Sequence, residues 1–198
     1  MNSVLILILT MALWGAVHSF LASLSVKSFF QRYLGSGIMR FYRLVYNGFS
    51  VISFLPILWL TVVLPDRPLY QAPLPWSLLM LTGQGLAAIL LLIGVLQTGP
   101  LSFAGVRQLI EEEKPPSLVV TGLYRYVRHP LYTAGLLFLW LTPAMTLNLL
   151  TLYLAATLYI LIGARFEERK LLREFGEAYA RYQRSTPMLL PRWKRGHE

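Results

Sequence analysis

Residues 2–26 read NSVLILILTMALWGAVHSFLASLSV and contain no Asp, Glu, Lys or Arg. An α-helix rises about 1.5 Å per residue, so about 20 apolar residues cross a hydrocarbon core about 30 Å thick. No basic residue precedes this stretch, and its apolar run is longer than that of a cleavable signal peptide. The sequence therefore predicts a first membrane span from Asn2 to Leu24.

Three further stretches also lack charged side chains: 44–65, 68–106 and 130–164. Of the 198 residues in the chain, 56% are hydrophobic and only 14% are charged. A water-soluble domain of this size would expose too much apolar surface with such a composition. The composition excludes a soluble globular protein and indicates that much of the chain lies within a lipid bilayer.

These stretches predict an all-α fold, a polytopic membrane bundle of five transmembrane helices. The second and third spans are predicted over Leu44–Leu64 and Leu74–Gln97. Residues 130–164 are too many for one helix, and the segment 142–148 (TPAMTLN) predicts a turn in their middle. We therefore expect a tight helical hairpin, whose first limb need not reach the far leaflet.

The chain is expected to form a single membrane domain over 1–198, with three spans in 1–98 and the hairpin and tail in 99–198. Apolar side chains recur at helical spacing in the tail, residues 166–184. They are Leu171, Leu172, Phe175, Tyr179 and Tyr182. This pattern predicts an amphipathic helix at the cytoplasmic surface.

The 18 Lys and Arg residues outnumber the 9 Asp and Glu residues, which gives a formal net charge of +9. With five spans, every Lys and Arg except Arg67 falls on one side of the membrane. Cytoplasmic loops carry such an excess, so we predict the N-terminus outside and the C-terminus in the cytoplasm of a bacterial inner membrane. Orientation thus explains the positive charge, and no nucleic-acid partner is expected. The sequence predicts no particular oligomeric state.

The signatures of soluble enzymes are missing from the sequence. The chain has no cysteine, which excludes disulfides, cysteine-ligated zinc and a thiol nucleophile. It has no phosphate loop and no Gly-x-Ser-x-Gly motif, and Gly35-Ser36-Gly37 lacks the third glycine of the dinucleotide fingerprint. No metal site is predicted.

The densest polar cluster is the stretch 122–132, GLYRYVRHPLY, which leads into the hairpin. Pro130 suits the first position of a helix, because an N–H group there would have no partner within the helix. Arg128 and His129 then lie at the positive end of the helix dipole, which attracts an anionic group. A belt of aromatic and basic anchors at the membrane surface would have the same composition, and the residues alone favour neither interpretation.

A second cluster, Arg165-Phe166-Glu167-Glu168, follows the last span. Two adjacent carboxylates beside hydrocarbon are costly unless they are paired. Glu167 can pair with Lys170 on the same helix. Glu168 instead lies on the same helix face as the apolar residues of the tail helix, so it is less readily explained as a surface charge in contact with water.

Together the two clusters resemble the signature of a known enzyme family. The pattern Gly122-x-Tyr124-x-x-x-Arg128-His129-Pro130-x-Tyr132, then a hydrophobic hairpin, then Arg165-x-Glu167-Glu168 is similar to that of the integral-membrane methyltransferases. This superfamily includes isoprenylcysteine carboxyl methyltransferases and phospholipid methyltransferases.

Three shorter motifs are most similar to the bacterial branch that contains methanethiol S-methyltransferases. They are Trp14–Ser19, Thr142–Thr146 and Pro187–Pro191. One departure is Ala134, at a position where members of the family often have glycine.

The resemblance implies that S-adenosylmethionine binds in a cytoplasmic pocket formed by the C-terminal half. Carried over residue by residue, the motifs assign cofactor binding to Gly122, Tyr124, Arg128, His129, Pro130, Tyr132, Glu167 and Glu168. The resemblance also implies catalytic roles for Tyr132, Arg165 and Glu168, with Arg165 positioning the methyl acceptor.

A thiol acceptor would also need a base, because the thiolate is the nucleophile. His18 is a candidate catalytic base, since it lies toward the cytoplasmic end of the first span and imidazole titrates near neutrality. The alternative is a histidine hydrogen-bonded to a neighbouring helix.

We therefore expect methyl transfer from S-adenosylmethionine to a thiol or other small lipophilic acceptor at the cytoplasmic membrane boundary. Carboxyl methylation of a protein prenylcysteine, or amine methylation of a phospholipid, would use the same scaffold. A non-catalytic binding or accessory subunit of the membrane is the alternative from another class, because the sequence offers no dedicated acid–base pair.

Overall fold

A computed structural model describes residues 2–99, 101, 106 and 117–191, and this part of the chain is mostly helical. Its α-helices are α1 (Ser3–Ala22), α2 (Leu24–Val63), α3 (Trp76–Thr98), α4 (Pro130–Trp140), α5 (Leu147–Phe175) and α6 (Glu177–Ser185). A 3₁₀ helix covers Gly122–Arg125, and two short strands are β1 (Pro68–Gln71) and β2 (Ala144–Thr146).

Four helical segments are long and apolar enough to cross a membrane: Ser3–Ala22, Met39–Val63, Trp76–Thr98 and Leu147–Phe175. The first and third lie within charge-free stretches of the sequence, whereas the second and fourth extend beyond them into charged residues. Helix α4 is also apolar, but its 11 residues extend only about 16 Å, roughly half of the hydrocarbon thickness. The described residues therefore contain four candidate spans and one short apolar helix, and the predicted five full spans are not confirmed.

Helix α2 begins well before the predicted second span. The Ser23 hydroxyl accepts a hydrogen bond from the Val26 N–H and so caps its first turn. A kink at Gly35, with φ of 77° and ψ of 166°, separates this first segment from the membrane span. Arg32 and Arg40, which lie between the first two predicted spans, are both helical. Lys, Arg, Leu and Met residues favour helix, and no proline interrupts them before the span.

Strands β1 and β2 pair in antiparallel orientation, with Pro68 opposite Thr146. The Ala72 N–H extends the ribbon by donating to the Pro143 carbonyl over 2.8 Å. The all-α prediction missed this ribbon and expected only a turn at 142–148. Backbone N–H and C=O groups outside helices need partners, and the pairing of two connecting segments supplies them.

Two polar side chains fasten the ribbon to the ends of the adjoining helices. Asp66 Oδ1 accepts a hydrogen bond of 3.0 Å from the Asn148 N–H in the first turn of α5. Asn148 is fully buried, and its Nδ2 donates to the Leu64 carbonyl at the end of α2, 3.2 Å away. Asp66 therefore caps α5 from a distant part of the chain.

Replacing Asp66 with alanine is expected to lower the free energy of unfolding by about 1 kcal/mol, the usual cost of losing a helix cap. Burial alone would raise the pKa of Asp66, but hydrogen bonds to its carboxylate outweigh burial, and the pKa lies below its usual value. The donors are Thr146, Asn148, Arg67 and Leu147. The carboxylate's contribution is therefore complete above a pH of about 4 and is lost as the pH falls through the folded-state pKa.

Thermal unfolding of the protein in detergent, at neutral pH and near pH 3, measures both effects. The melting temperatures of D66A and the wild type should differ at neutral pH and converge in acid. Identical melting temperatures at neutral pH would contradict the capping role.

The described chain forms two compact units. The first contains α1, α2, the ribbon and α5 as far as Thr157, and the second contains α3, the 3₁₀ helix, α4, the rest of α5 and α6. Met11, Ile57 and Leu152 form the buried core of the first unit. Large apolar side chains such as Val62, 83% exposed, cover the outer helix faces, as expected for contact with lipid.

The tail helix predicted over 166–184 is divided at Gly176. Helix α5 ends at Phe175, and Gly176 has a φ of 52°, a conformation that favours glycine. Helix α6 follows and buries Tyr179 and Tyr182, two of the residues that the apolar periodicity marked. Leu172, which the same periodicity marked, is 42% exposed, and the predicted continuous helix is interrupted.

Candidate active site

The Arg-His-Pro corner is fastened to the segment that follows α6. The Arg128 N–H donates to the Pro187 carbonyl over 2.9 Å, and the His129 N–H donates to the Met188 carbonyl over 3.1 Å. Pro130 lies in the first turn of α4, as predicted. The corner is thus held by backbone contacts on one side and by the start of a helix on the other.

Arg128 and Glu168, 40 residues apart in the sequence, form a nearly buried ion pair. Arg128 Nε and Nη2 both lie 2.6 Å from Glu168 Oε1, and the two side chains are 10% and 13% exposed. Arg128 Nη1 donates to the carbonyls of Gln183 and Thr186 at the end of α6. The guanidinium therefore satisfies both a buried carboxylate and the negative end of a helix.

His129 lies between the two glutamates. Its Nε2 is 3.3 Å from Glu168 Oε1, and its Nδ1 is 3.7 Å from Glu167 Oε2. The imidazole is stacked on the Tyr132 ring, with centroids 5.1 Å apart and planes 7° from parallel. The Tyr132 hydroxyl donates to Glu167 Oε2 over 2.7 Å. The corner and the twin glutamates thus form one continuous cluster.

The two glutamates differ in access to solvent. Glu168 is enclosed by Arg128, His129 and Gln183, whose Nε2 donates to Glu168 Oε2 over 3.3 Å. The Glu167 side chain is 45% exposed. Successive residues on a helix point about 100° apart, so one glutamate can be buried while its neighbour faces outward. Glu168 therefore organises the cluster, and Glu167 can reach a ligand.

Tyrosines extend the cluster to the 3₁₀ helix. The Tyr182 hydroxyl donates to the Tyr124 carbonyl over 2.6 Å. Burial raises the pKa of Tyr182 to about 12. Burial, together with the charge of Glu167, also raises the pKa of Tyr124. Both phenols therefore stay neutral and able to donate a hydrogen bond at physiological pH.

Both clusters lie within the part of the sequence that identifies the family. Residues 78–178 match the family model of the phospholipid methyltransferases. The chain belongs to this family. The predicted resemblance to integral-membrane methyltransferases is thereby confirmed.

Three methanethiol S-methyltransferases are similar to the chain, two of them over nearly its whole length. A methanethiol S-methyltransferase of Pseudomonas deceptionensis is 30% identical over 98% of this chain and 74% of its own length. Methanethiol S-methyltransferase 2 of Bradyrhizobium diazoefficiens is 32% identical over 96% of this chain and 74% of its own length. A methanethiol S-methyltransferase of Mycobacterium tuberculosis is 45% identical over 38% of this chain and 30% of its own length. No solved structure matches the chain.

The first glycine of the family motif lies in close contact with a glutamine side chain. Gly122 has a φ of 62°, and a Cβ atom on it would lie 2.5 Å from Gln97 Nε2. Gln97 Oε1 also accepts a hydrogen bond of 3.3 Å from the Leu123 N–H. This contact joins the 3₁₀ helix to the end of α3.

The substitution Gly122→Ala is expected to lower the free energy of unfolding. Gly122 has a positive φ, which favours glycine, and the Gln97 amide would have to move away from the new Cβ and lose its hydrogen bond with the Leu123 N–H. Thermal unfolding of the variant measures the change, and a melting temperature equal to that of the wild type would contradict the close contact with Gln97.

His18 lies in the first unit. Its Nε2 is 2.5 Å from the Tyr46 hydroxyl, and its ring is stacked on Trp14 with centroids 4.7 Å apart. Trp14 Nε1 in turn donates to Ser53 Oγ over 3.0 Å. His18 on α1 thus forms a hydrogen bond with Tyr46 on α2, as expected if its role is structural and not catalytic.

The other predicted site residues lie in the second unit. The contacts above bring together Arg128, His129, Pro130, Tyr132, Glu167 and Glu168, with Gly122 and Tyr124 in the adjoining 3₁₀ helix. Arg165 is exposed on α5, two residues before Glu167. Ala134, the departure from the family pattern, is buried on α4 with 2% exposure.

Two residues of the cluster, Gln183 and Thr186, were missed by the sequence analysis. Gln183 follows the buried Tyr179 by four residues, so the two share one face of α6. A polar amide on that face was the available signal. Thr186 contributes its backbone carbonyl, for which side-chain chemistry gives no signal.

An open cavity of about 1200 Å³ adjoins the cluster within the second unit. Its wall includes Tyr182 and Thr186, which hold Tyr124 and Arg128 in place, and also the basic side chains of Arg125 and Arg181. Cavities that bind cofactors have volumes of about 300–1,000 Å³, so this one has room for a ligand of that size, but neither Glu167 nor Tyr132 lines it.

Proposed function

We propose that this protein is an integral-membrane methyltransferase that transfers a methyl group from S-adenosylmethionine to a small thiol such as methanethiol. The proposal is supported by its membership of the phospholipid methyltransferase family and by relatives named methanethiol S-methyltransferase. The observation that carries the site assignment is the contact of Arg128 and His129 with Glu168, and of Tyr132 with Glu167.

The exposed part of the cluster suits the polar groups of the cofactor. Glu167 is half-exposed and accepts one hydrogen bond from Tyr132, so it has lone pairs left for an ammonium group or a ribose hydroxyl. Arg165 is exposed on the same helix and suits a carboxylate, either of the cofactor or of an acceptor. The rings of Tyr124 and Tyr132 suit the cationic sulfonium.

Arg128, His129 and Glu168 have a different role in this proposal. The Arg128 N–H groups are directed at Glu168 and at two carbonyls, so Arg128 positions the ligand-facing residues instead of contacting the ligand. His129 supports the Tyr132 ring by stacking, and Gly122 and Pro130 set the backbone of the corner.

S-adenosylmethionine supplies an electrophilic methyl group on a positively charged sulfur when it is bound. Methyl transfer by direct displacement requires mainly alignment of the reactants and exclusion of water. Tyr132 and Glu167, fixed to each other and to His129, provide a rigid surface for that alignment. We assign His18 a structural role, because it contacts Tyr46 and Trp14. His18 is then not the base, and the acceptor thiol loses its proton to water when the thiolate forms.

We also propose how the chain lies in the membrane. The relatives are bacterial, and every basic residue except Arg67 would face the cytoplasm if the N-terminus is outside. This arrangement places α4 as a half-length limb that enters the membrane before α5, with α6 at the cytoplasmic surface of the inner membrane. The cluster would then receive the cofactor from the cytoplasm and the acceptor from the bilayer.

Parallel assays of methyl transfer test the acceptor. Purified protein with labelled S-adenosylmethionine is offered methanethiol, a prenylcysteine peptide or phosphatidylethanolamine. We expect labelled dimethyl sulfide as the main product. The family name makes phosphatidylethanolamine the second candidate, and its preferential methylation would replace the thiol. Absence of any product, with no cofactor binding, would favour a non-catalytic subunit.

A further inference from the structure

We propose that the cavity beside α6 binds a phosphate group, with Arg125 and Arg181 as the cations that hold it. Neither Glu167 nor Tyr132 lines this cavity, so it is separate from the residues assigned to the cofactor. The site lies in the second unit, and the proposal does not depend on the methyltransferase activity.

Two segments of the chain form the cavity, which has a volume of about 1200 Å³. One contributes lining residues between 118 and 126, around the 3₁₀ helix, and the other between 178 and 191, in α6 and the segment after it. Hydrogen bonds hold the segments together: the Tyr182 hydroxyl donates to the Tyr124 carbonyl over 2.6 Å, and the Arg128 N–H donates to the Pro187 carbonyl over 2.9 Å. The cavity is therefore part of the folded unit and does not need a ligand to form.

Each segment places one arginine on the wall of the cavity. Arg125 ends the 3₁₀ helix, Arg181 lies on α6, and both residues are exposed. Within the described chain, neither guanidinium group has a hydrogen bond or an ion pair. Two like charges on one concave wall reinforce each other's potential and attract an anion.

No carboxylate of the two segments neutralises these arginines. Residues 117–132 and 178–191 contain no Asp or Glu. Glu177, which precedes the second segment, lies 2.5 Å from Arg184, and its pKa is lowered mainly by this contact, with a smaller contribution from Arg181. The positive charge of the wall can therefore be balanced by an anion from outside the two segments.

The rest of the wall indicates what the anion is attached to. Leu118, Val120 and Pro187 are apolar, so the cavity suits a ligand that joins an anionic group to an apolar body. Tyr126, which is 64% exposed, also lines the cavity and adds a hydroxyl donor. Guanidinium groups bind phosphate oxygens through paired N–H donors, and a phosphate on an apolar body matches both parts of this wall.

The phospholipids of the membrane carry such a phosphate. Basic pockets at the cytoplasmic side of membrane proteins bind lipid head groups, and α6 is the helix that we place at that surface. The choice of a lipid as the source rests on this proposed placement. A soluble phosphate compound offers the same group to the two arginines, and the experiment below distinguishes the two sources.

Binding to the full chain in an uncharged detergent, without cofactor or thiol, tests the site by native mass spectrometry. The lipid probes are phosphatidylglycerol and phosphatidylcholine with identical acyl chains, and the soluble probe is inorganic pyrophosphate. The double variant R125Q/R181Q removes both cations of the cavity, and Ala178→Trp places a ring in it. All three residues are exposed, so the variants should fold.

Matched controls change the same unit away from the cavity. R169Q/R173Q removes two exposed arginines of α5, and Leu172→Trp adds a tryptophan at a side chain that is 42% exposed. None of these three residues lines the cavity.

We expect the wild type to bind phosphatidylglycerol about fivefold or more tightly than phosphatidylcholine, and R125Q/R181Q to lose about fivefold in affinity for each cation removed. Ala178→Trp should also weaken binding, and neither control should change it. Pyrophosphate binding that needs the two arginines, without a preference between the lipids, would support the phosphate site and identify a soluble compound as its source.

Three results would overturn the proposal. One is a wild type that binds neither phosphatidylglycerol nor pyrophosphate. Another is a bound probe whose affinity is unchanged in R125Q/R181Q, or is lowered equally in R169Q/R173Q. The third is displacement of the bound probe by S-adenosylhomocysteine, which would assign the cavity to the cofactor. Since the assay measures no methyl transfer, these results are independent of the proposed activity.

Discussion

Replacing Glu168 with alanine is expected to destabilise the protein by about 3–5 kcal/mol and to abolish methyl transfer. The substitution leaves the nearly buried Arg128 guanidinium without its carboxylate, and the loss of one partner from a buried ion pair carries a cost of this size. It also removes the contact of Glu168 with His129 and the acceptor of the Gln183 amide. Thermal and denaturant unfolding of the purified protein in detergent measure the change.

The exposed pair of Glu177 and Arg184 is a matched control. Its atoms approach as closely, at 2.5 Å, but both side chains are about two-thirds exposed, at 65% and 64%. Exposed ion pairs contribute little to stability because water screens the charges, so Glu177→Ala should leave the melting temperature nearly unchanged.

A double variant distinguishes the ion pair from simple packing. In R128M/E168M both charges are removed together, and replacing a whole buried pair with apolar side chains is often neutral. This variant should therefore be more stable than either single substitution, although it should remain inactive. A loss from Glu168→Ala no greater than that from Glu177→Ala would show that the pair does not organise the cluster.

Glu167→Gln and Tyr132→Phe are each expected to lower kcat/KM for methyl transfer by about 10–100-fold. Each change weakens the hydrogen bond between the Tyr132 hydroxyl and Glu167, and Glu167→Gln also removes the half-exposed charge of the proposed site. Hydrogen bonds to charged groups contribute about 1.5–3 kcal/mol, which corresponds to this range of rates. The half-exposure of Glu167 means that stability should change much less than activity.

Tyr33→Phe is the control for these two variants. Tyr33 lies on α2 in the first unit and is 71% exposed. Steady-state rates with labelled cofactor should therefore be those of the wild type. Wild-type rates for both Glu167→Gln and Tyr132→Phe would exclude this pair from the active site.

The membrane helices could be predicted because they depend on local composition. A run of about 20 uncharged residues is sufficient to cross a bilayer in isolation, so the stretches around α1 and α3 need no information from the rest of the chain. The limits of α2 were predicted less well, because the basic segment before its span reads as a loop by charge and as a helix by propensity. The segment is helical, and the Ser23 side chain stabilises it by capping its first turn.

The strand pairing could not be predicted for a different reason. Residues 68–71 and 144–146 show no alternation of apolar and polar side chains, and their pairing depends on contact between distant segments. The same limit applies to the candidate site. Its two motifs were recognisable from residue types, but the carbonyls of Gln183 and Thr186 that anchor Arg128 depend on the path of the backbone.

The different environments of the two glutamates could be recognised only from the fold. In the sequence, Glu168 was the stronger candidate because it shares the apolar stripe. Burial on that stripe instead directs Glu168 toward Arg128, His129 and Gln183, and leaves Glu167 facing outward. Buried polar groups require protein partners, so the most buried carboxylate of a site is often committed to them.

A crystal or cryo-EM structure of the protein bound to S-adenosylhomocysteine would locate the cofactor directly. We expect the ammonium group or a ribose hydroxyl of the ligand within about 2.7–3.2 Å of the Glu167 carboxylate, with the Arg128–Glu168 pair intact behind it. A ligand bound in another part of the protein, with no contact to Glu167 or Tyr132, would contradict the assignment of this cluster as the active site.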